Sequence, residues 1–225
     1  MPLLLVATRK GLFTFSDRRG GWAIESVAFL GEPVSAVLPL ASGGLLAALN
    51  LGHFGTKLHR GRAGGAWEEV ASPAFPEQTA AEKEAEAKKT HPSPWRVEQI
   101  WTIEETSDGT LWAGTIPGGL FRSSDGGKSW ALVRELWDME ARGEWMGGGY
   151  DHPGIHSVAP DPRGPKRLQV GVSTGGVWTT EDGGANWTLT AKGMRAAYMP
   201  KERAFDPLVQ DVHRLVRCPA APDAL

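Results

Sequence analysis

Gly119-Leu-Phe-Arg-Ser-Ser-Asp-Gly-Gly-Lys-Ser-Trp130 decides the architecture, because it recurs. Gly176-Val-Trp-Thr-Thr-Glu-Asp-Gly-Gly-Ala-Asn-Trp187 places Gly, bulky apolar, aromatic, polar turn and Trp at the same offsets. A degenerate copy, Gly11 to Trp22, keeps the Gly-to-Trp distance, and a fourth, Gly55 to Trp67, carries one extra residue. Self-similarity at a period of tens of residues marks an architecture of stacked units, each unable to bury its apolar faces alone.

Each copy sits inside a set of four short strands. Leu3 to Thr8, Gly44 to Asn50, Gly109 to Thr115 and Arg167 to Ser173 are apolar-rich runs that lead through a turn into the repeated box. Upstream of the last three lie Val34 to Leu40, Gln99 to Glu104 and Ile155 to Ala159, joined on by Gly- and Pro-containing turns. A fourth run follows each Trp, as in Trp130-Ala-Leu-Val-Arg. The fold class is therefore all-β: a β-propeller of four-stranded antiparallel blades, about 1–29, 30–75, 97–136 and 154–191. The last two distances between box Trp residues exceed what a bare blade of about 40 to 50 residues needs. The excess lies in 71–96, 138–153 and 190–209. Strand alternation puts these loops on one face and the box turns on the other, and an elaborated face on a uniform scaffold is where a site belongs. Thr79-Ala-Ala-Glu82, followed by Lys83 to Lys89, predicts a capped, exposed helix in the first loop.

In the box an Asp accepts from backbone N–H groups just downstream, Gly-Gly supplies positive φ, and the Trp anchors the next strand. Ser123, Asp125, Gly127 and Trp130, and Thr180, Asp182, Gly184 and Trp187, are thereby structural. Ser-x-Asp-x-Gly-x-x-Trp resembles the Asp-box, or bacterial neuraminidase repeat, of sialidase-like β-propellers. Similar repeats occur in sialidases, xyloglucan-cleaving enzymes, sortilin-type receptors and photosystem assembly factors, so the resemblance implies a fold more than a function. Gly154-Ile-His-Ser-Val-Ala-Pro-Asp-Pro and Gly193-Met-Arg-Ala-Ala-Tyr-Met-Pro also resemble bacterial proteins described as sialidase-like or glycosyl-hydrolase-like. The sialidase activity itself is a poorer fit: that resemblance implies an Arg-Ile-Pro signature, absent here, and a Tyr nucleophile, for which Tyr150 and Tyr198 are the only tyrosines. Val212 to Pro219 reads as one further first strand, either closing a four-bladed ring onto Leu3 to Thr8 or opening the next blade of a larger ring. The second is preferred, because propellers of the resembled group have more blades.

Ten Trp and 29 Gly in 225 residues suit a structure that repeats aromatic anchors and tight turns. A net charge of -2 offers no field for nucleic acid or a membrane surface. A lone Cys218 and a short apolar start without a cationic leader fit a reducing, cytoplasmic setting. Gly147-Gly-Gly-Tyr150 lacks the Gly-Lys-Ser/Thr ending of a phosphate loop, and no cofactor is implied.

On the elaborated face, Glu98, Asp151 and Asp211 are the candidate catalytic carboxylates, since a glycosidase needs two across the scissile bond. His53, Trp95, Arg96, Trp145, Tyr150, His152, His156 and His213 are the candidate ligand-binding residues, indoles for stacking and polar groups for hydroxyls. The competing reading has the loop Trp residues pinning loops to the scaffold and the histidines ending strands. A metal held by Asp151, His152, His156, Asp211 and His213 is weighed against that and not adopted. The expectation is a binding propeller for a small polar or sugar-like ligand or a protein partner, with a sialidase-like glycoside hydrolase as the alternative.

Overall fold

The computed structural model describes residues 2–88, 92–218 and 220–225, so Lys89 and Pro219, at the ends of two predicted segments, lie outside it. Strands β1 (Leu3–Thr8), β2 (Gly11–Arg18) and β3 (Gly21–Ala28) form a three-stranded sheet. Three four-stranded sheets follow in chain order. They are β4 (Val34–Pro39) to β7 (Trp67–Val70), with β5 (Leu45–Asn50) and β6 (Thr56–Gly61); β8 (Gln99–Glu105) to β11 (Ala131–Leu132), with β9 (Leu111–Ile116) and β10 (Leu120–Ser123); and β12 (Ile155–Pro160) to β15 (Thr188–Leu189), with β13 (Leu168–Val172) and β14 (Gly176–Thr180). Every neighbouring pair is antiparallel. These are the blades expected from the repeat, the first lacking its opening strand.

The sheets stack face to face, and each interface holds its own core. Leu12, Val34, Ala47 and Leu49 join the first two blades; Leu46, Leu58, Ile100, Leu111 and Phe121 join the second and third; Trp112, Leu120, Ile155, Val170 and Trp178 join the third and fourth. Second strands are therefore covered on both faces: all of β9 is buried, and all of β5 up to Asn50. That is why they read as continuous apolar runs, without the alternation of a half-wet strand. Close approach fixes some positions. A Cβ on Gly114 would lie 2.6 Å from the Ile155 carbonyl oxygen and 2.8 Å from the Thr102 methyl.

The box turns form as read. Asp125 Oδ1 accepts from the Lys128 and Ser129 N–H groups at 3.0 Å, and Ser123 Oγ accepts from Gly127 N at 2.8 Å. Asp182 Oδ1 accepts from Asn186 N at 2.9 Å, and Thr180 Oγ1 from Gly184 N at 2.9 Å. Gly127 and Gly184 adopt φ of +87° and +94°, where a Cβ would be strained. Donors aimed at the charged form hold the Asp125 carboxyl well below its ordinary range and Asp182 at about 2. The boxes also latch blades together. Arg60 on β6 donates to the Gly126 carbonyl of the next box, and Arg122 on β10 donates to Gly183 O at 3.0 Å.

Two expectations are corrected. Trp22 is 52% exposed, because the box Trp residues pack against the blade before their own and among the described residues none precedes the first, whereas Trp187 is 9% exposed in the core shared with Trp112 of the third blade. Residues 211–217 form no strand; Ser157 Oγ instead accepts from Leu215 N at 3.0 Å, holding the segment beside β12. The helix α1 (Ala80–Ala87) has its capping box of Thr79 and Glu82. It is exposed, as expected, and its cap carries an ion pair: Arg134 pairs with Glu82 and, with the cap, lowers that carboxyl to about 2. Among the described residues no helix is long and apolar enough to cross a membrane.

Candidate functional site

The innermost strand of each four-stranded blade carries a β-bulge at the same place. Pairing skips Ser35 in β4, Trp101 in β8 and His156 in β12. A bulge re-aims the side chain at the extra residue, and these three lie at one end of adjacent strands, on the face of the long loops. The sequence shows why they correspond: Val34-Ser-Ala-Val37, Ile100-Trp-Thr-Ile103 and Ile155-His-Ser-Val158 share one pattern, which Val212-His-Arg-Leu215 repeats. The side chains at these positions pack in series. His156 stacks on Trp101 with ring centroids 3.8 Å apart, and His213 meets His156 edge-on at 4.9 Å.

His156 is 6% exposed, and burial, with a smaller contribution from His213, pushes its pKa down to about 4 against the opposing pull of Asp211. It is a neutral imidazole at pH 7. His213 is exposed and its Nε2 lies 3.1 Å from Asp211 Oδ2. The other Asp211 oxygen is buried without a hydrogen-bond partner, and a Cβ on Gly148 would come within 2.8 Å of it. The loop 147–150 thus sits directly on this carboxylate.

Two cavities open on the same face. One, of about 960 Å³, is lined by the end of α1 and the 142–153 loop, including Arg142, Trp145, Asp151 and His152. The other, of about 880 Å³, lies between the first and third blades and is lined by Arg9, Glu32, Ser35, Asn50, Gln99 and Trp101, among others. Tyr150 lines both. Its ring meets Trp101 edge-on at 5.3 Å, and its hydroxyl is 3.4 Å from Gln99 Oε1, which in turn accepts from Asn50 Nδ2 at 3.2 Å. The second cavity offers what a sugar-like ligand needs: an aromatic face flanked by amides, a hydroxyl, a carboxylate and a guanidinium.

The residues singled out from sequence divide accordingly. Tyr150, His156, Asp211 and His213 come together, and Asp151 and His152 line the first cavity. Trp95 does not reach either cavity: its Nε1 donates to Pro76 O at 2.6 Å and its ring packs on Phe75 and Trp137, which pins the 71–96 loop. Trp145 lines the first cavity but is 6% exposed, wedged where a Cβ on Gly118 or Gly175 would touch its ring at 3.4 and 3.0 Å. Arg96 and Glu98 pair with each other at 3.7 Å, outside both cavities, and exposed His53 packs against Phe54. Among the described residues no three His, Cys, Asp or Glu groups assemble as a metal site. Trp101, Gln99, Asn50 and Ser35 were missed, and aligning the four first-strand patterns would have found the bulge positions.

The structure resembles that of the GH74 xyloglucanase from Xanthomonas campestris, with a TM-score of 0.56 and 19% identity over 85% of this chain and 29% of that one. The fold is that of an Asp-box β-propeller. No family model matches the chain. A stretch of 78 residues, 34% of the chain, is 38% identical to a probable oligoxyloglucan-reducing end-specific xyloglucanase of Neosartorya fischeri. The corresponding enzyme of Emericella nidulans is 36% identical over 78 residues. The matched stretch is 8% of the length of each fungal protein, so this propeller arc corresponds to a small part of them.

Proposed function

We propose that the loop-rich face of this propeller binds a neutral oligosaccharide, with Trp101 as the stacking platform and Asn50, Gln99 and the Tyr150 hydroxyl meeting the sugar hydroxyls. The observation that carries this reading is the second cavity, in which the Trp101 indole and apolar neighbours such as Leu51 and Phe54 share one space with the polar groups of Asn50, Gln99 and Tyr150. Segmental similarity to proteins named as xyloglucanases supports a β-glucan-type chain as the first ligand to try. Binding is favoured over hydrolysis because each cavity is lined by a single carboxylate among the described residues, Glu32 in one and Asp151 in the other, whereas glycoside cleavage takes two flanking the bond.

The test is calorimetric titration with xyloglucan-derived and cello-oligosaccharides, beside a reducing-end release assay. Trp101→Ala is expected to weaken binding by about 2 kcal/mol, roughly thirtyfold, as for loss of a well-packed aromatic anchor. Release of reducing ends that disappears in Asp151→Ala, Asp211→Ala or Glu98→Ala would replace this reading with the hydrolase. Absence of binding by the unaltered protein would remove it altogether.

A further inference from the structure

The series of bulge residues has a gap, and the gap is the second cavity. His213 packs on His156, and His156 stacks on Trp101 at 3.8 Å, so across the third and fourth blades each bulge position is covered by a ring from the next. His156 covers one side of the indole and does not line the cavity, whereas Trp101 does. On the second blade the equivalent position is Ser35, whose hydroxyl is turned to its own sheet, donating to Ala48 O at 3.2 Å. Ser35 lines the cavity together with Trp101. Where the other two blades carry a ring, this one carries a small residue, and Ser35 and Trp101 line one space, with Tyr150 edge-on to the indole.

We infer that Ser35 is the residue that opens the recognition subsite, and that a pyranose ring occupies the place in the stack which the Ser35 side chain is too short to fill. The inference rests on the oligosaccharide reading above and adds which residue makes room and where the first ring sits. The flat, weakly polar face of a pyranose suits an indole. Its equatorial hydroxyls would reach the Asn50 and Gln99 amides and the Tyr150 hydroxyl, which already share hydrogen bonds at the wall. Because the Ser35 O–H is already donated to the Ala48 carbonyl, Ser35 has no hydrogen left to give the sugar, and its contribution is chiefly room.

Size should therefore dominate binding at this position. In Ser35→Trp the protein fills its own subsite with the side chain that the same bulge carries in β8, and affinity for the xyloglucan or cello-oligosaccharide bound by the unaltered protein should fall at least tenfold. Ser35→His, the ring carried at that place in β12, should do the same, while Ser35→Ala should bind within about threefold of the original. Circular dichroism and thermal melting check that each variant is folded. A direct readout independent of these variants is the Trp101 indole N–H resonance, assigned by its loss in Trp101→Phe, which should shift on titration with the sugar. Folded Ser35→Trp or Ser35→His binding as tightly as the original, or a Trp101 resonance unmoved at saturation, overturns the inference while leaving oligosaccharide binding elsewhere on the face intact. If the unaltered protein binds none of these sugars, the functional reading fails first and this one with it.

Discussion

Protonation of His156 should destabilise the propeller in a defined window. The unfolded side chain has its ordinary pKa near 6.5, and the folded one is held near 4. Below pH 6.5 the unfolded chain takes up a proton that the folded chain refuses. The stability contributed by the neutral buried imidazole is thus complete above pH 6.5, falls as pH drops toward 4, and is gone below that. The full shift corresponds to about 3 kcal/mol, of which about 2 kcal/mol is lost by pH 5. Cation–π attraction between a protonated His156 and the Trp101 face it already stacks on would return part, about 0.5–2 kcal/mol. The net expectation is a loss of up to about 1.5 kcal/mol between pH 7 and pH 5. Urea unfolding followed by tryptophan fluorescence at both pH values, on the original protein and His156→Gln, isolates this by difference. His59, whose pKa is also lowered chiefly by burial, is common to both and cancels. Equal pH dependence in the two proteins would refute the assignment of a buried, neutral His156.

Three further outcomes follow from the same structure. Gly114→Ala should lower stability by about 1–3 kcal/mol in urea unfolding, because the added methyl meets the Ile155 backbone and Thr102 across the blade interface. Asp125→Ala removes the acceptor of two backbone N–H groups and the Ser129 hydroxyl; its melting temperature should fall, and the original protein should lose that advantage as pH drops below the ordinary carboxylate pKa. Trp95→Phe deletes the bond to Pro76 O while keeping the aromatic packing; limited proteolysis should cut faster within 71–96, with sugar binding unchanged.

The repeating parts of the molecule were readable because their causes are local. Asp-Gly-Gly dictates its own turn, the Trp a fixed distance from the first Gly sets the strand, and the bonds of Asp125 and Asp182 all fall within four residues. The choice of loop face followed from strand alternation alone. The site was only half legible, for physical reasons. Whether an indole in a long loop faces solvent or scaffold depends on a partner distant in sequence, and for Trp95 that partner is the Pro76 carbonyl. Trp101 lay inside an apparently ordinary strand; it faces the cavity because one residue drops out of register there. Asp211, a candidate carboxylate by position, lies against His213 through one oxygen and has the Gly148 backbone packed over the other, contacts that its place in the sequence does not reveal. Tyr150 was chosen for being on the rim, and the structure adds that it stands between two cavities.

The most direct measurement is a crystal structure of the protein with a bound xyloglucan or cello-oligosaccharide. The account predicts a sugar ring stacked on Trp101 in the cavity bounded by Ser35, Asn50, Gln99 and Tyr150. A ligand seated on the box-turn face, or one on the loop face that leaves Trp101 untouched, would contradict it.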